Sequence, residues 1–267
     1  MLAIQSPELH PIFVLDKDAM LKSYDQGRKL AKDKVSQQAL VRPWSKDVGK
    51  VRSPSGQSWT APFAMFIPPV GAMRFMGYSH GREYVDRESG LADFERDMAS
   101  PVKPEDRRIR FRAVLFSWPG ISDLNHQINR HANEADVKDI KFVVLVDNER
   151  PIHPAVRPTL QGEAKFTGTE RIPERHTIYG SSEGTATASS SGGTATVKSN
   201  TTSTVTYTTF TVEAFNVYQA VYDLEFPLYK PDGSPYVSKD TKELVLKVIR
   251  PSGEHSATFK LNDYLKK

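Results

Sequence analysis

Hydrophobic and polar positions change their period along this chain, and the change divides it into two parts. From Arg107 to Phe116 the pattern alternates, with Ile109, Phe111, Ala113 and Leu115 on one side and Arg108, Arg110 and Arg112 on the other. Period two over this length predicts a half-buried strand. Ile140 to Val146 is a continuous apolar run closed by Asp147 and Asn148, a strand ended by turn residues. Thr159 to Thr169 and Arg171 to Tyr179 supply two more strand candidates, and Phe215 to Phe226 another, before the turn Pro231-Asp232-Gly233. Leu244 to Ile249 and Ser256 to Leu261 flank Pro251-Ser252-Gly253-Glu254, which reads as a hairpin. Strands that follow one another through turns, with little helix between them, predict a mainly β fold: an antiparallel, immunoglobulin-like β-sandwich. The Cys…Trp…Cys frame of antibody domains is absent, so only the general architecture is expected.

The first hundred residues follow other rules. Asp16 to Leu40 has a helical pattern, with Asp16 and Asp18 suited to its start and Leu21, Tyr24, Ala31 and Val35 along one face. Gly27 weakens that helix and Pro43 stops it. Trp59 to Val70 is apolar but carries Pro62, Pro68 and Pro69, which limits it to a short edge strand. Met73 to Tyr78 reads as a further short strand, Asp86 to Met98 as a helical turn through Leu91 and Phe94, and Ile121 to Val137 as polar chain with a short helix through Leu124, Ile128 and His131. Pro101 and Pro104 mark the boundary. Residues 1–104 are expected to form a helix-containing segment packed on the sandwich, and residues 105–267 the sandwich itself, with an insertion near 181–204.

That insertion dominates the composition. Between Thr177 and Thr211 nearly every second residue is Ser or Thr. A stretch with so few large apolar side chains cannot bury a core of its own. It is expected to be a long polar loop or hairpin, disordered near 181–200 and ordered where Thr alternates with Val, Tyr and Phe from Thr204 to Val212. Asn200-Thr201-Thr202 fits the N-glycosylation pattern, which arises by chance in such sequence.

Composition narrows the function classes. The chain has 267 residues, enough to bury a large core without disulfide or metal. Its net charge of +4 is too mild and too dispersed for a dedicated nucleic-acid binder. With no cysteine there is no disulfide, thiolate zinc site or cysteine nucleophile, which also suits an oxidising compartment. No apolar run reaches the roughly 18 residues of a membrane span. The hydroxyl tract points to an extracellular or cell-envelope protein whose leader, with or without a lipid-bearing cysteine, has been removed. A precursor that starts at Met1 would make it cytoplasmic.

Candidate chemistry is sparse. Gly77-Tyr78-Ser79-His80-Gly81 matches G-x-S-x-G, the turn that presents the nucleophile of α/β-hydrolases, and Ser79 is the candidate catalytic residue of that reading. The motif requires a buried strand before it and a packing helix after it. Here Arg74 interrupts the preceding stretch and Arg82 to Glu88 is too polar to follow. His126, His131, His153, His176 and His255 are all available as partners, and no spacing selects one of them. His126 and His131 are five apart, a poor spacing for a shared metal on a helix, so no metal and no cofactor is expected. Arg108, Arg110 and Arg112 form the candidate anion-binding face, beside a diffuse basic stretch from Arg28 to Arg52. The expected role is binding or scaffolding without an assembled catalytic site. The partner is unidentified, with another envelope protein or an anionic surface polymer as the admissible classes. Serine hydrolysis at Ser79 and anion or nucleic-acid binding through the arginines are the alternatives.

Overall fold

The computed structural model describes residues 8–52, 59–60, 62–92, 106–117, 135–190 and 193–265. Two antiparallel sheets face each other across one core. The first has the order β1-β4-β5-β9-β8, from Ser45–Asp47, Phe63–Phe66, Arg108–Ser117, Gly193–Pro227 and Thr159–Ser190. The second has the order β11-β10-β6-β7, from Gly253–Lys260, Glu243–Arg250, Lys141–Val146 and Arg150–Ile152. A small ribbon pairs β2 (Val51–Arg52) with β3 (Trp59–Thr60). The mainly β, antiparallel expectation therefore holds. β1 and β4 come from the chain before residue 105 and are hydrogen-bonded into the sheet beside β5.

The alternation of β5 delivers what its pattern requires. Ile109, Phe111, Ala113 and Leu115 are buried, and Phe111 lies between Phe66 and Phe226 of its own sheet and Phe259 of the other. Phe142 meets Tyr222 in the same way between β6 and β9, 5.3 Å apart. These aromatic contacts tie the two sheets into one core. At the end of β6, Asp147 and Asn148 both adopt positive φ (49° and 59°), a conformation that short polar side chains tolerate. Asp147 also accepts the Lys242 and Glu243 N–H groups at 2.8 and 3.1 Å, clamping the turn to the start of β10. Asp147→Ala is expected to cost about 1–3 kcal/mol by stranding those donors, measured as a lower urea midpoint at unchanged slope.

The helical layer differs from its sequence expectation in three places. α1 (Lys17–Lys32) is capped by Asp16, whose Oδ1 accepts the Ala19 N–H at 2.7 Å. It ends at Lys32 instead of running on. Lys34 takes a positive φ of 56°, and α2 (Gln37–Val41) restarts on a Ser36 cap. The buried face of α1 is Met20, Ser23, Tyr24, Gly27 and Ala31. Met73 to Tyr78 is not a strand. It lies inside α3 (Pro69–Arg82), which Pro68 and Pro69 start as helix-compatible first residues. A six-residue window cannot separate the two periods, and here the longer glycine spacing decides. Gly27 and Gly77 let α1 and α3 touch backbone to backbone, since a Cβ on Gly27 would lie 2.1 Å from the Arg74 carbonyl oxygen. Residues 87–92 are helical behind an Asp86 cap, whereas Phe94, the Pro101–Pro104 boundary, Leu124, Ile128, His126 and His131 lie outside the described residues.

His10 is buried, and its Nδ1 accepts the Ile12 N–H at 3.2 Å. Burial lowers its pKa, partly offset by the Asp147 carboxylate. The folded protein thus takes up the proton less readily than the unfolded chain. Its contribution to stability is complete above pH about 6.5 and is lost as pH falls from there through the lower folded value. The thermal midpoint is expected to drop between pH 7 and 5, and His10→Gln to remove that part of the drop.

Candidate functional site

The hydroxyl tract forms the hairpin of the two expected alternatives, and departs from expectation in being ladder where disorder was expected near 181–200. Two strand candidates and the disordered segment near 181–200 are one continuous ladder. β8 has 32 residues and β9 has 35, paired from Thr159↔Asp223 to Ser190↔Gly193 with a single irregularity between Leu160 and Gly162. The expectation of disorder considered only side-chain burial. Thr is β-branched and favours the pleated backbone, and the main-chain bonds of a ladder need no core.

The hairpin outruns the body that holds it. β5 pairs with β9 only from Arg108↔Pro227 to Ser117↔Tyr218. Among the described residues, β9 from 193 to 217 is paired with β8 alone, and β8 is the edge strand of the sheet. At about 3.3 Å per residue, the arm formed by residues 166–190 and 193–217 reaches roughly 80 Å beyond the end of that pairing. Midway along it, His176 stacks on Tyr207 with centroids 5.1 Å apart, and its Nε2 shares a 2.7 Å hydrogen bond with Thr209 Oγ1. Next to them the cross-strand pair Ile178 and Val205 is 54% and 58% exposed, and Tyr179 on the opposite face is 76% exposed. Exposed apolar side chains at one height on a projecting arm suit contact with another surface.

Two of the three arginines of the candidate anion face are paired with acids across the sheet. Arg112 makes a bidentate ion pair with Asp223, at 2.7 and 2.8 Å, and Arg110 bonds Glu225 at 3.0 Å. The register of β5 on β9 places each pair directly opposite. Hydrogen bonding to Asp223 raises the Arg112 pKa further. Arg108 Nη1 bonds the Arg107 carbonyl at 3.1 Å. Only the acid partners on β9, distant in sequence, reveal this, and strand alternation alone gave no register with which to find them. Native protein is expected to leave a heparin column at low salt, while Asp223→Asn with Glu225→Gln, which frees both arginines, elutes at clearly higher salt.

Ser79 sits in the third turn of α3, exposed, with its Oγ donating to Glu83 Oε1 at 2.8 Å. Its neighbour His80 turns away to the α1 contact, where Nδ1 and the Tyr24 hydroxyl share a 3.0 Å hydrogen bond. The glycines that complete G-x-S-x-G are packing residues. A Cβ on Gly77 would strike the Tyr24 backbone, and one on Gly81 would meet Ala31. An open groove of about 760 Å³ passes Ser79, Lys34, Arg82 and Arg112. No described His, Cys, Asp and Glu group is arranged to hold a metal ion, and no described helix is long and apolar enough to cross a membrane. Comparison with family models, with curated proteins and with solved structures finds no match to this chain.

Proposed function

We propose that this chain is a non-enzymatic binding and scaffolding module of the cell envelope or extracellular surface, and that the hairpin is its working part. The observation that carries the reading is the arm itself. A body with its own core commits β8 and β9 to a ladder that, among the described residues, extends far beyond that core. Folded backbone of that length is retained against its ordering entropy only where something uses it. We read the body as immunoglobulin-like in general architecture, a rigid two-sheet base from which the arm projects. Its envelope placement rests on the uncharged hydroxyl composition and the lack of cysteine.

The test is a variant in which residues 177–206 are replaced by an Asn-Gly turn, which closes the shortened ladder at His176↔Tyr207. The body should keep its thermal midpoint within a few degrees, because none of the described core residues lies in that segment. Full-length protein should fractionate with the envelope, and the shortened protein should stay in the soluble fraction. Equal partition of the two forms contradicts the proposal.

A further inference from the structure

We infer that the arm pairs edge to edge with the arms of further copies of this chain, β8 of one copy against β9 of the next, and that the copies close into a ring whose hairpins form a β-barrel. The inference rests on the reading of the hairpin as the working part and names its partner.

An isolated two-stranded ribbon is marginal in water, and strands gain stability when both edges are paired. Among the described residues this ribbon has two long edges of equal extent that pair with no third strand, residues 166–190 and 193–217. Proteins that keep such edges single protect them with charge, proline or bulges. Here most of the charge sits at the base of the arm, at Glu170, Arg171, Glu174, Arg175 and Glu213. From His176 to Val212 the only acidic or basic residues besides the histidine are Glu183 and Lys198, and the described ladder runs without a bulge from Gly162 to the tip. Pro173 is the one proline in the arm. Its ladder with β9 is unbroken, so its missing N–H faces outward and removes a single bond from the β8 edge.

The two charges of the outer arm select the partner strand and the offset. Glu183 is on β8 opposite Asn200, and Lys198 is on β9 opposite Thr185. By register, backbone positions 183 and 198 fall on the same face of the ribbon. When neighbouring hairpins lie side by side, a slide of two residues registers Glu183 of one copy directly opposite Lys198 of the next. That slide is also what closure requires. About 6.7 Å of offset for each two strands, about 9.6 Å of sheet, is a tilt of roughly 35°, at the lower limit for closed barrels. A two-fold β9–β9 dimer offers no such match, because the symmetry pairs residues of one face with each other and Glu213, the only acid on β9 between 193 and 217, alternates to the face opposite Lys198. It also leaves both β8 edges open. An edge of about 80 Å on a ribbon about 10 Å thick gives roughly 800 Å² per partner, the size of a stable interface.

The chain contains no cysteine, so introduced thiols report without background. In Ser181→Cys with Asn200→Cys, the two positions are diagonal within one hairpin, about 7–8 Å apart and beyond disulfide reach. Between copies at the two-residue offset they are directly opposite. Mild oxidation of the purified full-length protein should give a ladder of covalent oligomers under non-reducing conditions. The control, Ser181→Cys with Thr202→Cys, joins direct partners of one hairpin and should stay monomeric. Light scattering should give a discrete mass well above a dimer. Glu183→Lys and Lys198→Glu should each weaken assembly about tenfold or more, and the double exchange should restore it to near the native value. A monomeric or dimeric mass at the highest attainable concentration, or cross-linking confined to single chains, overturns the ring. Loss of the ring with envelope association still dependent on the hairpin would remove this inference alone, and equal fractionation with an intact ring would remove only the proposed role.

Discussion

Phe111→Ala should unfold the body at denaturant concentrations that leave the native chain intact, with a loss of about 3–5 kcal/mol. Phe111 is 1% exposed and is the hub of the aromatic core, 5.4 Å from Phe66, 6.0 Å from Phe226 and 5.2 Å from Phe259. The Phe259 contact crosses between the sheets, so truncation opens a cavity where the layers are held together. Neighbouring rings cannot fill it without leaving their own contacts. Against a total of roughly 5–15 kcal/mol for a domain, such a loss removes much of the margin. Urea unfolding followed by near-ultraviolet dichroism measures it as a lower midpoint at unchanged slope. Arg112→Ala on the same strand should cost no more than about 1 kcal/mol, since its ion pair with Asp223 is exposed to screening.

Gly77→Ala should destabilise the helical layer although alanine is the better helix former. In an open helix the exchange would gain about 1 kcal/mol. Here the added Cβ falls 2.1 Å from the Tyr24 carbonyl oxygen and 2.8 Å from its carbon, both backbone atoms of α1 that cannot rotate away. The helices must separate, which also strains the Tyr24–His80 hydrogen bond. The net cost is expected to be about 1–3 kcal/mol or more, as in other overpacked interiors. Gly162→Ala is the control: nothing lies within 4 Å of its added Cβ, and the midpoint should move little. A stabilised Gly77→Ala protein would show that α1 and α3 do not approach as described.

The two predictions mark where sequence pattern suffices and where it does not. The strand of Ile109, Phe111, Ala113 and Leu115 is legible because its alternation is long and one-sided. So are the Asp147-Asn148 turn and the β10–β11 hairpin, whose residue types match their backbone conformations. The helix over Met73 to Tyr78 is not, because its buried positions mix Gly71 and Gly77 with Met73 and Tyr78, and the glycines interrupt the hydrophobic period. The same glycines produced the hydrolase-like spacing around Ser79, so one packing device both hid a helix and imitated a catalytic turn. The ladder of the hydroxyl tract was missed for a different reason. Hydrophobic periodicity reports burial, and the arm is a main-chain ladder rich in β-branched residues. What the sequence did contain was strict alternation near the tip, Thr185-Ala186-Thr187-Ala188 facing Ala195-Thr196-Val197-Lys198, with the two charges left on one face. That pattern is read as strand only when the absence of a core is set aside.

Residue-resolved amide exchange over 181–190 and 193–204 tests the whole account most directly. An ordered ladder in the register Ser181↔Thr202 predicts slowed exchange at alternate residues of both strands, extended to nearly every residue once neighbouring copies pair. Uniform exchange at the rate of an unstructured chain throughout those segments would contradict it, and the projecting arm, its proposed role and the ring would all be lost together.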